Sequence, residues 1–319
     1  VDTFPNYIAG TWASGDDAVP NINPSDLNDT IGEYARASAN QTAVAIECAA
    51  AAFPKWRATS PLVRFEALDR IGSEILARVD ELGDMLAREE GKTLAEAKAE
   101  AHRTGHLFKY FAAEAYRATG DTYQSLREAV SLKVLREPIG VVGVITPWNF
   151  PLAIPAWKIA PALAYGNTVV FKPAELVPGS AWMLADIIAR AGLPEGVFNL
   201  VMGKGREVGE AIVTHPKVSG VTFTGSTPVG RNMGAALFAR GAKMQLEMGG
   251  KNPLVVLDDA DLDLAVHCAL QGSFFSTGQR CTASSRLIVT EGIHNAFVDG
   301  PGAAMKDLRI GDARAPETQ

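Results

Sequence analysis

The chain has 319 residues, of which 47% are hydrophobic and 21% are charged, and its formal net charge is −6. This is the composition of an ordinary globular protein, and the length allows two domains. Basic residues form no cluster that predicts a nucleic-acid partner, and no apolar run reaches the ~20 residues of a membrane helix, so we expect neither partner.

The first part of the chain predicts short strands followed by long helices. Residues 1–38 are rich in turn-forming residues. From Gln41 to Thr119, apolar residues recur at helical spacing, and Gly91 and Gly120 are expected helix stops. The alternation in AVSLKVLREPIG, residues 129–140, then predicts an edge strand or an arm.

After Gly140 the pattern alternates between strands and helices. This alternation predicts an α/β fold with a Rossmann-type, doubly wound parallel sheet. The pair Gly249-Gly250 predicts a boundary. We therefore expect one domain over residues 1–248 and the start of a second α/β domain over residues 249–319. The strand segments of the first domain read VVGVIT, NTVVFKP, GVFNLVMG, SGVTFTGS and KMQLEMGG.

Two turns and one strand end are candidates for nucleotide binding. The turns GKGREVG (203–209) and FTGSTPVG (223–230) bring glycine to a helix start, where phosphate binds, although either turn alone is more often structural. Lys172 and Glu175 follow a buried strand. Side chains of this kind at a strand end bind ribose hydroxyls or remain solvated.

Cys281 differs from the other cysteines because serine, threonine, glycine and arginine surround it. Small polar neighbours leave a thiol accessible, as a nucleophile requires. For Cys48 and Cys268, on predicted alanine-rich helices, we prefer a packing or incidental role. Three cysteines form no even disulfide set, and no CxxC pair indicates a metal site, so we expect reduced thiols, no metal and a cytoplasmic protein.

Several motifs together resemble the NAD(P)-dependent aldehyde dehydrogenase superfamily, in its order and spacing over the whole chain. YGNTVV and STGQRCTASSRLIV are most similar to the α-ketoglutaric semialdehyde (2,5-dioxovalerate) dehydrogenases of that superfamily. Family members continue beyond this chain, so the resemblance implies that the C-terminal part is missing. The motifs are TPWNFP (146–151), KPAE (172–175), FTGS (223–226), LEMGGKNP (246–253) and GQRC (278–281).

The resemblance implies a role for each matching residue. Cys281 would be the nucleophile, the Asn149 amide and the Cys281 N–H would bind the oxyanion, and Glu247 would activate water. Without the resemblance, Asn149 is an ordinary turn residue and Glu247 a domain-junction carboxylate. The implied substrate-binding residues are Arg280, Phe150 and Trp157. The implied cofactor-binding residues are Thr146, Pro147, Trp148, Lys172, Glu175, Gly205, Gly209, Thr224, Gly225, Ser226 and Val229.

The implied reaction is oxidation of α-ketoglutaric semialdehyde to 2-oxoglutarate. NAD is the expected cofactor because Glu175 would repel a 2′-phosphate, although Lys172 could tolerate NADP. A strand segment near residues 122–138 would join the subunits of a homodimer or homotetramer. One alternative is a dehydrogenase for succinate semialdehyde or a general aliphatic aldehyde. A second is a CoA-acylating enzyme, which would not need the base that Glu247 supplies. A third is a non-catalytic NAD-binding fragment. The five histidines match no catalytic position.

Overall fold

The structure is a computed structural model that describes residues 3–117 and 120–319. Short strands come first, and long helices follow them, as the sequence predicts. The strands are β1 (Thr3–Phe4), β2 (Asn6–Ile8), β3 (Thr11–Ala13), β4 (Asp17–Ile22) and β5 (Thr30–Arg36). The helices are α1 (Ala39–Arg57), α2 (Pro61–Ala77), α3 (Val79–Glu90) and α4 (Leu94–Glu114).

The structure confirms one of the two predicted helix stops. Gly91 ends α3 in the left-handed conformation, with φ of 87°, and its N–H donates to Ala87 O. A single helical turn, residues 115–117, follows α4. The end of the predicted helical region, Thr119, lies outside the described residues, so the stop expected at Gly120 stays a prediction.

A hairpin begins at residue 121, and strands and helices alternate from residue 141 to residue 248. The exposed strands β6 (Asp121–Gln124) and β7 (Ser131–Val134) form an antiparallel hairpin where the sequence predicts an arm. The elements that follow are β8 (Val141–Ile145), α5 (Ala153–Ala164), β9 (Thr168–Lys172), α6 (Pro178–Arg190), β10 (Phe198–Leu200), a π-helical turn (Gly205–Gly209), α7 (Glu210–Thr214), β11 (Val218–Gly225), α8 (Thr227–Ala239) and β12 (Lys243–Met248).

The main sheet has the order β12-β11-β8-β9-β10-β2-β3, and its strands from β12 to β10 are parallel. Alternate residues of β8 enter two different cores. Val142 and Val144 pack with α2 to α6, whereas Val141 and Ile145 pack with α1, α7 and α8. Helices therefore cover both faces of the sheet, which confirms the predicted α/β class.

The last part of the chain builds a second, smaller unit. It consists of β13 (Asn252–Val256), α9 (Leu262–Phe274), β14 (Ser284–Val289) and α10 (His294–Ala304). Strands β13 and β14 pair in parallel, and a separate small core forms around Val256, Ala269 and Phe297. This agrees with a boundary near Gly249, although the division at residue 248 stays a prediction. In the part of the chain that the structure describes, we find no helix whose length and hydropathy suit a membrane span.

Candidate active site

The sheet creates a crevice where its chain order reverses. After β8 the chain continues through β9 and β10 on one side, and it returns to the other side of β8 as β11 and β12. Ligands of open parallel sheets bind at the carboxyl ends of strands at such a point. A cavity of about 310 Å³ lies there, and its lining residues are Pro147, Trp148, Asn149, Thr224, Gly225, Ser226, Glu247, Met248, Gly249, Gly250, Gly278, Gln279, Arg280 and Cys281.

Cys281 reaches this cavity from the second unit. Cys281 is exposed, as expected from its small polar neighbours. Its carbonyl oxygen accepts a hydrogen bond of 2.5 Å from Asn252 Nδ2. Cys48 is half-buried, whereas Cys268 is exposed. The exposure of Cys268 is compatible with an incidental role, and the roles expected for both cysteines stay predictions.

The Asn149 amide lies next to the segment that precedes Cys281. Its Nδ2 donates to Gln279 O over 2.7 Å, and its Oδ1 is buried without a partner among the described residues. An amide nitrogen has two hydrogens, so one hydrogen remains for a further acceptor. An oxyanion formed next to Cys281 is an acceptor of the required kind.

Glu247 lies at the end of β12 and belongs to a polar chain that sequence reasoning missed. Gln245 donates from Nε2 to Glu247 Oε1 over 2.9 Å. Lys158 Nζ, on α5, donates to Gln245 Oε1 over 3.0 Å and to Thr222 Oγ1 over 2.9 Å. The two-residue spacing in QLEM, which places Gln245 and Glu247 on one face of a strand, was an available signal.

Lys158 is buried, and its surroundings make its protonated form less stable than it is in water. Burial lowers the pKa of the Lys158 ammonium to about 8, and the nearby Glu247 carboxylate partly opposes this effect. A lysine with such a pKa can exist with or without its proton near neutral pH. The carboxylate expected to be the general base is therefore held by Gln245, which is itself held by Lys158.

The predicted ribose-binding residues, Lys172 and Glu175, lie at the end of β9, the strand next to β8, and neither lines the cavity. Lys172 is buried, which lowers its pKa to about 8, and its Nζ donates to Pro173 O over 2.8 Å. Glu175 is exposed, and its Oε1 accepts from Gly205 N over 2.9 Å. The Glu175 carboxylate therefore holds the start of the π-helical turn that Gly205 and Gly209 delimit.

The residues around β8, β11 and α8 fit a dinucleotide. Ser226 precedes α8 without capping it by its side chain, and the first turn of α8 has no acidic residue, so N–H groups remain for an anion. A Cβ added at Gly205 would meet no heavy atom within 4 Å, so the turn is open to a close ligand. The Thr146 hydroxyl is buried and unpaired among the described residues, and Val229 is exposed on α8.

Of the three predicted substrate-binding side chains, Arg280 alone is among the residues that line the described cavity. Its guanidinium is already hydrogen-bonded within the protein. Arg280 donates from Nη2 to the carbonyl oxygens of Gln271, over 2.6 Å, and Gly272, over 3.3 Å, at the end of α9. Its guanidinium also lies 4.8 Å from the centre of the Phe275 ring. These contacts indicate that Arg280 stabilises the end of α9.

Phe150 and Trp157 lie outside the residues that line the cavity. The Phe150 ring centre is 4.0 Å from Lys92 Nζ, and the Trp157 ring packs edge-on against Phe111 at 6.1 Å. Trp157 is half-exposed on α5. Neither ring lines the cavity, so direct contact of either ring with the substrate stays a prediction from the resemblance.

The fold is a doubly wound parallel sheet with a cavity at its switch point, the place where such sheets bind ligands, and Cys281 lines that cavity. Residues 12–319 match the model of the aldehyde dehydrogenase family, and the chain belongs to this family. This confirms the resemblance found in the sequence motifs.

Three similar proteins illustrate the relationship. The chain is 45% identical over 314 residues to the α-ketoglutaric semialdehyde dehydrogenase of Bacillus subtilis, covering 98% of this chain and 64% of that protein. It is 39% identical to the NADP(+) succinate-semialdehyde dehydrogenase GabD of Escherichia coli, covering 96% and 64%. The crystal structure of betaine aldehyde dehydrogenase from Staphylococcus aureus in complex with NAD+ superposes with a TM-score of 0.95 at 33% identity, covering 98% and 63%. The chain thus spans about two thirds of the length of these relatives.

Proposed function

We propose that the complete protein oxidises an aldehyde to a carboxylate with NAD(P)+, and that its substrate is α-ketoglutaric semialdehyde, which becomes 2-oxoglutarate. The observation that supports the reaction is the meeting of Cys281, Asn149 and Glu247 at one cavity. These residues come from three separate parts of the chain, and together they supply a nucleophile, an oxyanion donor and a base.

The first half of the proposed reaction takes place at Cys281. Its thiolate adds to the aldehyde carbon, so a C–S bond forms and the carbonyl oxygen becomes an oxyanion. The remaining Nδ2 hydrogen of Asn149 and the N–H of Cys281 donate to that oxygen. A nicotinamide held by the residues around β8, β11 and α8 would supply the hydride acceptor, and loss of the hydride from the carbon would leave a thioester on Cys281.

The second half of the reaction requires a base. Glu247 removes a proton from a water molecule, whose oxygen attacks the thioester carbon. The C–S bond breaks, the carboxylate product leaves, and the Cys281 thiolate is restored. Gln245, by donating to Glu247 Oε1, orients the carboxylate, and Lys158 at the other end of Gln245 fixes the orientation of the amide.

The substrate assignment is supported by the Bacillus subtilis relative, which is named an α-ketoglutaric semialdehyde dehydrogenase. The second candidate is succinate semialdehyde, because the Escherichia coli relative is named for it. For the cofactor we propose NAD, because the exposed Glu175 carboxylate lies at the turn where the ribose is expected. NADP is the alternative, and the Escherichia coli relative is an NADP(+) enzyme.

The assembly of the protein is part of the same proposal. We infer a homodimer or homotetramer that uses the hairpin of β6 and β7. All residues of these two strands are exposed in the described chain, and Tyr123, Leu132 and Val134 present apolar area that a partner subunit can bury. The cytoplasmic location stays a prediction from the cysteine content.

A panel of aldehydes tests the proposed function. We expect the complete protein to produce NADH, followed by its absorbance, with the highest kcat/KM for α-ketoglutaric semialdehyde, then succinate semialdehyde, and the lowest for propanal. A preference for succinate semialdehyde would transfer the assignment to the second candidate. Binding of NAD, followed by tryptophan fluorescence, without NADH from any aldehyde would indicate a non-catalytic NAD-binding protein and would overturn the proposal.

A further inference from the structure

Three charged side chains at the start of α4 contact the backbone of the site. Lys92 precedes the helix, and Glu96 and Glu100 lie on its first two turns. Residues four apart lie on one face of a helix, so Glu96 and Glu100 point in the same direction. None of the three belongs to the predicted site, and none lines the cavity.

Lys92 and Glu100 form a buried ion pair that holds the turn carrying Asn149. Lys92 Nζ lies 2.6 Å from Glu100 Oε2 and donates to Asn149 O over 2.8 Å. Glu100 Oε1 accepts from the N–H groups of Leu152 and Ala153, each over 3.0 Å. The pair therefore holds this turn at both ends, at Asn149 and at the start of α5.

The burial of this pair needs a reason other than stability. Both side chains are almost fully buried, at 1% and 2% exposure. Desolvation offsets most or all of the attraction in such a pair, and apolar residues of similar volume often stabilise a protein as well. Apolar residues, however, can neither donate a hydrogen bond to Asn149 O nor accept hydrogen bonds from the two N–H groups.

Glu96 holds the other side of the site. Its Oε1 accepts from Ser276 N over 2.8 Å, although 180 positions separate the two residues. Ser276 and Thr277 have positive φ values of 53° and 54°, and Gly278 follows with 71°. For residues other than glycine this conformation is unfavourable, so surrounding contacts must maintain it.

The two held segments meet at the reacting groups. The segment that Glu96 holds runs to Cys281, and the turn that Lys92 and Glu100 hold presents the Asn149 amide. Asn149 Nδ2 donates to Gln279 O, which joins the two segments directly.

We propose that the start of α4 is a brace that fixes the Asn149 amide relative to Cys281, with Lys92, Glu96 and Glu100 as positioning residues for oxyanion stabilisation. This inference rests on the proposed aldehyde oxidation. The Asn149 amide stabilises the oxyanion only if the distance from Cys281 is maintained, because displacements near 1 Å cost about a hundredfold in rate.

The Glu96 contact is tested with paired variants of the complete protein. Glu96→Ala removes the acceptor for Ser276 N, whereas Glu96→Gln keeps an oxygen in its place. We expect Glu96→Ala to lower kcat by roughly ten- to a hundredfold with little change in the KM for NAD, and Glu96→Gln to restore most of it. Glu66→Ala, at an exposed glutamate on α2, is the matched control and should keep the wild-type kcat.

A second readout does not depend on turnover. Hydrogen–deuterium exchange of the peptide spanning residues 276–281 should become faster in Glu96→Ala and not in Glu66→Ala. The triple variant Glu90→Gln, Lys92→Met and Glu100→Gln removes the ion pair together with the buried Glu90 carboxylate 3.8 Å from Lys92 Nζ, so that no carboxylate is left buried without its cation. We expect it to remain folded by thermal melting, to exchange faster over residues 149–153, and to lose kcat as Glu96→Ala does.

The outcomes separate the brace from the reaction itself. If the wild-type protein oxidises aldehydes but Glu96→Ala keeps its kcat and its exchange rates, the brace is overturned and the proposed function remains. If Glu96→Gln loses as much as Glu96→Ala, the hydrogen bond to Ser276 is not the cause and the inference also fails. A wild-type protein that oxidises no aldehyde overturns the proposed function, and the brace with it.

Discussion

Glu247 and Lys158 do not touch, yet a single amide joins them. Gln245 donates from Nε2 to Glu247 Oε1 over 2.9 Å and accepts at Oε1 from Lys158 Nζ over 3.0 Å. A glutamine side chain offers a donor at one nitrogen and an acceptor at one oxygen. Because both ends are used, the orientation of the amide and the position of the carboxylate are fixed together.

The first prediction concerns the base. Glu247→Gln should lower steady-state turnover by about a hundredfold or more, since removal of a general base has effects of this size. Hydride transfer precedes the step that needs the base, so rapid mixing should still show a burst of NADH in the first turnover. A variant with normal kcat and weaker NAD binding would indicate a cofactor role for Glu247 instead.

The second prediction concerns the nucleophile. Cys281→Ala should abolish NADH production, because no thiolate remains to add to the aldehyde. NAD binding, followed by tryptophan fluorescence, should be unchanged. Cys268→Ala is the control, since Cys268 is also exposed but lies outside the cavity, and it should keep full activity. Turnover in Cys281→Ala would exclude this cysteine as the nucleophile.

The third prediction concerns cofactor choice. Glu175→Ser should raise kcat/KM for NADP relative to NAD by about tenfold, because a carboxylate near a 2′-phosphate repels it. Glu175→Gln removes the charge but keeps an acceptor for Gly205 N, to which the carboxylate is bound. If repulsion is the cause, both variants shift the ratio. A shift in the serine variant alone would point to displacement of the turn.

The fourth prediction concerns Arg280. The guanidinium is bound to the carbonyl oxygens at the end of α9, so Arg280→Ala should lower the melting temperature and reduce kcat/KM for charged and neutral aldehydes alike. Hydrogen bonds to charged groups contribute about 1.5–3 kcal/mol. A loss confined to α-ketoglutaric and succinate semialdehydes, with propanal spared, would show instead that Arg280 binds the distal carboxylate.

The fifth prediction concerns the pH dependence of stability. Glu90 adjoins Lys92, and burial raises the pKa of its carboxyl from 4.5 to about 8, with the Lys92 charge opposing and the Glu100 charge adding to the effect. A carboxyl whose pKa is raised in the folded state binds a proton on folding. The free energy of unfolding therefore falls as pH rises from the lower value to the higher one.

Glu90→Gln is neutral at every pH and should remove this dependence. The melting temperature of the variant should exceed that of the wild type more at about pH 9 than at about pH 5, by about 2–4 °C for each kcal/mol relieved. Glu66→Gln, at an exposed site, should show no such trend. Parallel pH curves for Glu90→Gln and the wild type would contradict the prediction.

The sequence was sufficient for features that depend on local pattern. Strand-helix alternation predicted the sheet, and the family resemblance of the motifs implied that Asn149, Glu247 and Cys281 would act together at one site. The sequence was insufficient where side chains choose among distant partners. The contact of Glu96 with Ser276 and that of Asn149 with Gln279 depend on how the two units pack, which no periodicity encodes.

Arg280 illustrates the same limit at short range. The resemblance implied that Arg280 binds the substrate, and the residue lines the cavity, but the direction of its guanidinium was not predictable. The carbonyl oxygens at the end of α9 compete for that cation, since a helix leaves its last carbonyls without partners. Only the distance between Arg280 Nη2 and Gln271 O shows that the guanidinium binds this carbonyl oxygen.

The pairing of β11 with β12 places Thr224 opposite Glu247 and Gly225 opposite Met248. Side chains alternate along a strand, so inserting or deleting one residue within β12 would turn Glu247 away and present Leu246 or Met248 in its place. The turns that follow the strands have no such constraint. Length variation among homologues should therefore accumulate in those turns and be absent from β12, and insertion scanning of the gene should recover the same division.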